Sequence, residues 1–564
     1  MEALDWLVIG VFFLALIGII VWVVRQKQND SADYFLGGRD ATWLAIGASI
    51  FASNIGSEHL IGLAGAGASS GMAMAHWEIQ GWMILILGWV FVPFYTRSMV
   101  YTMPEFLERR YNPQSRTILS VISLVSYVLT KVAVTVYAGG LVFQQVFGIK
   151  ELWGIDFFWI AAIGLVVLTA LYTIFGGMKS VLYTSVLQTP ILLLGSLIIL
   201  ILGFKELGGW DEMMRVCGAV TVNDYGDTMT NLIRSNDDAN FPWLGALIGS
   251  AIIGFWYWCT DQFIVQRVLS GKNEMEARRG TIFGAYLKLL PVFLFLIPGM
   301  IAFALHQKYI GAGGEGFLPM LENGTANADA AFPTLVAKLL PAGVKSLVVC
   351  GILAALMSSL ASLFNSSAML FTIDFYKRFR PQTSEKKLVG IGQVATVVIV
   401  ILGILWIPIM RSVGDVLYTY LQDVQSVLAP GIAAAFLLGI CWKRTSAQGG
   451  MWGLISGMVI GLTRLGAKVY YSNAGEVADS TFKYLFYDMN WLFFCGWMFL
   501  FCIIVVIVVS LATEAPTAEK IQGLVFGTAT KEQKASTRAS WNHWDIIHTV
   551  IILAITGAFY WYFW

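Results

Sequence analysis

Charge is what this sequence has least of. Asp, Glu, Lys and Arg make up 13% of its 564 residues, about half the roughly 25% usual in a soluble domain. With 57% hydrophobic residues, that deficit excludes a soluble multidomain protein. The net charge is +1, so no bulk field draws the chain to nucleic acid. The six cysteines (Cys217, Cys259, Cys350, Cys441, Cys495 and Cys502) show neither a CxxC spacing nor a disulfide framework. All but Cys217 fall in apolar runs, where they act as small hydrophobes. No HExxH, GxSxG or P-loop pattern occurs, so the sequence points away from an enzyme. The first apolar run carries Glu2 and Asp5 instead of a basic n-region, and no A-x-A-like cleavage site follows. Residues 4–24 are therefore expected to be a retained span rather than a signal peptide. No strong internal sequence repeat is evident.

What the chain does have is long apolar runs. Many exceed the ~20 residues that cross ~30 Å of hydrocarbon at ~1.5 Å per residue. They are continuous rather than alternating, and backbone groups in lipid must be satisfied internally, so the spans are helices. The fold class is an all-α polytopic membrane protein. Fourteen spans are expected near 4–24, 41–70, 73–97, 117–147, 154–175, 180–204, 243–266, 281–305, 346–376, 388–410, 413–442, 448–468, 490–512 and 544–563. The basic clusters Arg97, Arg109, Arg110 and Arg116; Arg267, Lys272, Arg278 and Arg279; and Lys377, Arg378, Arg380, Lys386 and Lys387 then share one side. Basic loops stay cytoplasmic, which predicts an integral plasma (inner) membrane protein with both termini extracytoplasmic. Lys131 and Lys288 fall inside spans.

Two spans, 41–70 and 243–266, are interrupted by polar or small residues and stand five helices apart. Broken helices at corresponding places in two halves point to an inverted-repeat transporter with a site near the midplane. The first contains Phe51-Ala52-Ser53-Asn54-Ile55-Gly56-Ser57-Glu58-His59. Asn, Gly and Ser are poor helix-interior residues. Unwinding here would free the carbonyls of Ala52 and Ile55 for a cation and turn Asn54 and His59 toward a solute; a small-residue packing face is the alternative.

Glu78 lies inside the next span, where carboxylates are costly and face an aqueous path. It suits a polyol, or else sits at the interface. Lys288 either donates to a solute hydroxyl, pairs with Glu78, or snorkels to the cytoplasmic surface. Gln422 offers both a donor and an acceptor, to a neutral ligand or a neighbouring helix. In Phe255-Trp256-Tyr257-Trp258, aromatic faces can stack on the C–H face of a sugar ring or simply pack. In Ala354-Ala355-Leu356-Met357-Ser358-Ser359-Leu360-Ala361-Ser362, three hydroxyls and the Ala355 carbonyl give the oxygen ligands a hard alkali ion prefers. Those serines can equally bond back to their own helix.

Together these stretches resemble the sodium/solute symporter family, in particular its sodium/glucose cotransporter branch. The matching segments are Asp33-Tyr34-Phe35-Leu36-Gly37-Gly38-Arg39, 51–67, Gly176-Gly177-Met178 with Tyr183-Thr184, 257–267, 357–374, 421–430 and 437–443. The resemblance implies a LeuT-like five-plus-five inverted repeat. Repeats would occupy 41–204 and 243–442, after a first helix and loop at 1–40, around an extracytoplasmic loop at 205–242, and before three peripheral helices at 443–564. It implies a Na+ site at the carbonyls of Ala52, Ile55 and Ala355 and the hydroxyls of Ser358 and Ser359. A sugar site is implied at Asn54, His59, Glu78, Lys288 and Gln422, with Tyr257 as an inner gate beside Trp258. Gly254 and Gly81 stand where a bacterial member has polar sugar contacts. Ser185 stands where members commonly carry an aspartate of a second sodium site, so with Ser362 it marks a vestigial one, and one Na+ per sugar is expected. The expected activity is hexose import, with lipid, sodium and a small-molecule sugar as partners. A sugar-gated sensor or ion leak, and symport of another polyol or a sugar acid, are the competing expectations.

Overall fold

In the computed structural model the described residues are 3–26, 30–56, 58–321, 324–341, 343–411, 417–473 and 478–564. Helices dominate; among the described residues they are joined by turns, by the longer 219–242 loop and by one tiny hairpin, Glu151–Leu152 with Ile155–Asp156. Among the described residues ten helical stretches are long and apolar enough to cross a membrane. The expected spans regroup within them. Those at 154–175 and 180–204 are two helices that meet at Gly177, where the backbone leaves helical geometry within Phe157–Leu207. Gly177 has φ +53°, and a Cβ there would lie 2.4 Å from the Tyr34 carbonyl oxygen. Only glycine fits both constraints. The span at 73–97 belongs to the longer stretch His59–Ser98, and the one at 448–468 to Ala447–Asn473.

Burial sorts the helices into core and rim. In the apolar 18-residue segments of Val344–Phe379 and Glu274–Gly311, 89% and 83% of residues are buried, against 17% and 22% in those of the terminal helices Ala3–Val24 and His543–Tyr562. A helix that is apolar all round but largely uncovered faces lipid. The core is built where Phe157–Leu207 packs on Val344–Met369 and where Glu274–Lys288 packs on Trp43–Asn54.

The two interrupted spans break as their composition predicts. Trp43–Asn54 ends where Ile55 turns extended (ψ 101°), and helix resumes through 58–63 into Ala64–Ser70. Among the described residues no amide outside the helices donates to the carbonyls of Ala52 or Ile55. The second span, Trp243–Gly254, widens into a π-helical turn, Phe255–Thr260, and stops at the extended Asp261 (ψ 127°). Asp261 then caps Gln262–Leu269 by accepting from Phe263 N–H. An aspartate in that position satisfies an orphan helical amide and starts the helix afresh. The 219–242 loop lies against the end of Ala64–Ser70, with Met72 N–H donating to Met229 O at 2.8 Å.

Candidate functional site

The break at Asn54 opens onto a chamber of about 60 Å³. Its wall includes Asn54, His59, Glu78, Tyr257, Trp258 and Lys288, drawn from four separate helical stretches. Lys288 is 3% exposed and Glu78 1%, so both side chains are turned into the protein. Lys288 Nζ donates to Glu78 Oε2 at 2.6 Å and to Asn54 Oδ1 at 3.2 Å. The amide of Asn54 donates in turn to the Tyr257 hydroxyl at 3.2 Å. The residue that ends the first broken helix is thus tied to the second broken helix and to the buried ion pair. Lys288 also lies 5.3 Å from the Trp258 ring centre, within cation–π range.

Two lining residues keep polar atoms without a partner. His59 Nε2 faces Glu78 Oε2 at 3.3 Å, but its Nδ1 has no hydrogen-bond partner among the described residues; nor has Trp77 Nε1. Buried polar groups in native proteins are nearly always satisfied. Unpartnered polar atoms on a chamber wall therefore fit a hydrogen-bonding ligand.

The proposed sodium ligands gather behind that wall. Ser359 lines the chamber and donates to Ser53 O at 2.8 Å. Ser53 and Ser362 hydroxyls are 2.6 Å apart, and Ser185 lies 3.2 Å from Ser358 and 3.5 Å from Ser49. Ala52, Ile55 and Ala355 are buried on the same two packed elements. The donor set is all oxygen and all neutral, which fits a monovalent hard cation better than a divalent or thiophilic one. Among the described residues no group of three His, Cys, Asp or Glu side chains forms a metal cluster. Gln422 lies on Leu417–Cys441, with its side chain outside the described residues; Gln425, one turn on, lines the chamber.

Sequence reasoning missed a second buried pair. Lys131 Nζ donates to Asp261 Oδ2 at 2.6 Å, and the Tyr127 hydroxyl donates to Asp261 Oδ1. The Lys131 ammonium sits 4.8 Å from the Tyr257 ring centre and 4.7 Å from that of Phe263. Lys131 was visible as an intramembrane cation, but its partner sits 130 residues away, and nothing local pairs them. The network holds Tyr257 against the second break. Trp77, Gln80 and Thr135, also on the wall, carried no signal beyond being polar or aromatic within a span.

With this geometry in view, comparison with known proteins places the chain. The profile of the Sodium:solute symporter family matches residues 34–457. The chain belongs to the sodium:solute symporter family. This symporter is 36% identical over 542 residues to sodium/myo-inositol cotransporter 2 of Homo sapiens, covering 94% of this chain and 79% of that one. It is 35% identical over 560 residues to sodium/glucose cotransporter 4 of Danio rerio, covering 96% and 84%. A solved structure of a Na+-coupled sialic acid symporter, substrate-bound and outward-open, superposes with TM-score 0.72 at 21% identity, over 92% of this symporter and 99% of that chain. The fold is therefore the LeuT-like inverted repeat. The protein is a multi-pass membrane symporter that couples a solute to sodium; it is not an enzyme.

Proposed function

We propose that the solute is a neutral, ring-shaped polyol of hexose size, imported with one sodium ion across the plasma membrane by alternating access. The observation that carries this reading is the Glu78–Lys288–Asn54–Tyr257 chain of contacts on the chamber wall. It offers a carboxylate, an ammonium, an amide and a phenol to hydroxyls, with Trp258 beside them for a C–H face. Both lining cations, Lys288 and Lys131, already face a carboxylate. An anionic solute would want a cation unmatched. A hexose is the first candidate; the names of the relatives favour a cyclitol such as myo-inositol as the second.

Sodium at the break would order Asn54 and raise solute affinity, and by linkage the solute would raise sodium affinity equally. Ser185 brings no charge to its neighbours Ser49 and Ser358, which supports a single ion. One sodium moving down a tenfold gradient and a 100 mV potential releases about 3.7 kcal/mol, which holds a neutral solute roughly 500-fold concentrated; two ions would permit the square of that ratio. The basic clusters around 97–116, 267–279 and 377–387 support cytoplasmic placement of those loops and extracytoplasmic termini.

Uptake of labelled glucose and myo-inositol into proteoliposomes tests the proposal, with the sodium gradient and the potential set independently. Accumulation should require sodium, and its ceiling should match one ion. Equal accumulation with and without the gradient would overturn coupling, and solute-evoked current without net solute flux would instead mark a gated leak.

A further inference from the structure

We infer that Gln80 reads one hydroxyl of the transported solute, through its carboxamide oxygen. The inference rests on the solute class proposed above and adds a residue that determines specificity within it.

Gln80 occupies the link between the short helices Ala75–Glu78 and Gly81–Ile86 (φ −83°, ψ 23°). The link brings it to the same chamber wall as Glu78. It is 2% exposed. Its Nε2 donates to the carbonyl of Ser250 at 2.8 Å. A carbonyl can only accept, so this bond fixes which end of the carboxamide is nitrogen and which is oxygen. The oxygen has no donor among the described residues.

Gly254, one turn beyond Ser250 on the facing helix, makes the placement possible. A Cβ at Gly254 would lie 2.5 Å from Gln80 Oε1, 2.9 Å from Cδ and 3.1 Å from Nε2. The carboxamide lies against the bare Cα, in space that any side chain would take. Gly254 also lines the chamber. Two features thus fix one acceptor on the wall: a backbone carbonyl holds the nitrogen, and a missing side chain makes room for the group.

An acceptor with no donor of its own discriminates in one direction. It favours a ring carbon bearing O–H and disfavours a deoxygenated carbon or an ether oxygen, neither of which has a proton to give. A buried acceptor left unmet carries the desolvation cost of the lost bond.

The test is a deoxy scan in proteoliposomes. Competition against sodium-driven uptake is measured for glucose, myo-inositol and their mono-deoxy analogues, in the wild type, Gln80→Met and Gly254→Ala. In the wild type one analogue should compete roughly tenfold or more worse than its parent because it leaves Oε1 unpaired. In Gln80→Met that difference should fall to within about twofold, while penalties at the other hydroxyls persist. Gly254→Ala, which displaces the carboxamide and leaves Gln80 in the chain, should erase the same difference at the same hydroxyl. If either transport-competent variant keeps every wild-type penalty, or loses affinity for all analogues in equal proportion, Gln80 only braces Ser250 and the inference fails. Failure of the wild type to take up any of these solutes on a sodium gradient would instead refute the solute class.

Discussion

Removing the amine of Lys288 probes the centre of the chamber most directly. At 2.6 Å from Glu78 Oε2, Nζ gains about 6 kcal/mol of Coulomb energy at an effective dielectric of about 20, most of which the desolvation of two ions cancels. The pair as a whole therefore adds little net stability, but either half without the other is costly. Lys288→Met preserves the stem and leaves a carboxylate that is 1% exposed without its ammonium. The expected loss is about 3–5 kcal/mol of stability. Glu78→Gln in the Lys288→Met background removes the stranded charge and should return stability to within about 1–2 kcal/mol of wild type. Unfolding of the purified protein in detergent and sodium gives the double-mutant cycle, and uptake gives the function. Transport should fall at least about tenfold in both singles and remain low in the double, since the solute loses its partners whether or not the fold recovers. If the two single costs add in the double mutant, the groups are not coupled and the ion-pair argument is refuted. Uptake at wild-type rate in Lys288→Met would remove that residue from the solute's contacts.

The second buried pair obeys the same rule, although Asp261 also caps Gln262–Leu269. Lys131→Met and Asp261→Asn should each cost about 3–5 kcal/mol in the same unfolding assay, because each strands the other group's buried charge; a cost below about 1 kcal/mol for either would rule out this account. Ser359→Ala removes the hydroxyl that donates to Ser53 O at 2.8 Å and should raise the half-saturating sodium concentration roughly 5- to 30-fold with little change in maximal rate; an unaltered sodium dependence would exclude Ser359 from the ion's ligands. In the 219–242 loop, burial tends to raise the Asp238 pKa, but Phe241 N–H, the Asn223 amide, Asn240 N–H and Arg234 outweigh it and hold the carboxyl below its ordinary range. The unfolded loop then takes up the proton more readily, so the stability Asp238 lends is full above about pH 4 and is lost as pH falls through the folded value. Cleavage of this loop by an acid protease should rise across that window in the wild type and show no such rise in Asp238→Asn.

The membrane-spanning character, the two breaks and their separation were legible in the sequence because each follows from local composition. Apolar length sets a span, and Asn54, Gly56 and Ser57 together weaken a helix wherever they stand. Glu78 and Lys288 could be flagged as costly in lipid, yet interface, snorkel and chamber remained open for them, since depth and direction depend on neighbouring helices. Lys131 was equally visible and equally ambiguous. Gln80 carried no signal, because its placement exists only opposite Gly254, and which side chain fills the space that glycine leaves depends on how two distant helices pack.

The sequence by itself determined that this chain crosses the membrane many times, breaks two of its helices, and places oxygen donors and a few ionisable groups at depth. Those are consequences of hydrophobic length and backbone propensity, which act over a few turns. Only the tertiary structure decided that Lys288 closes on Glu78 and Asn54, that Lys131 closes on Asp261, and that Gln80 lies against a bare Cα. Each depends on which helix faces which across the core, and in a low-dielectric interior an ion or amide takes the partner that packing brings within about 3 Å.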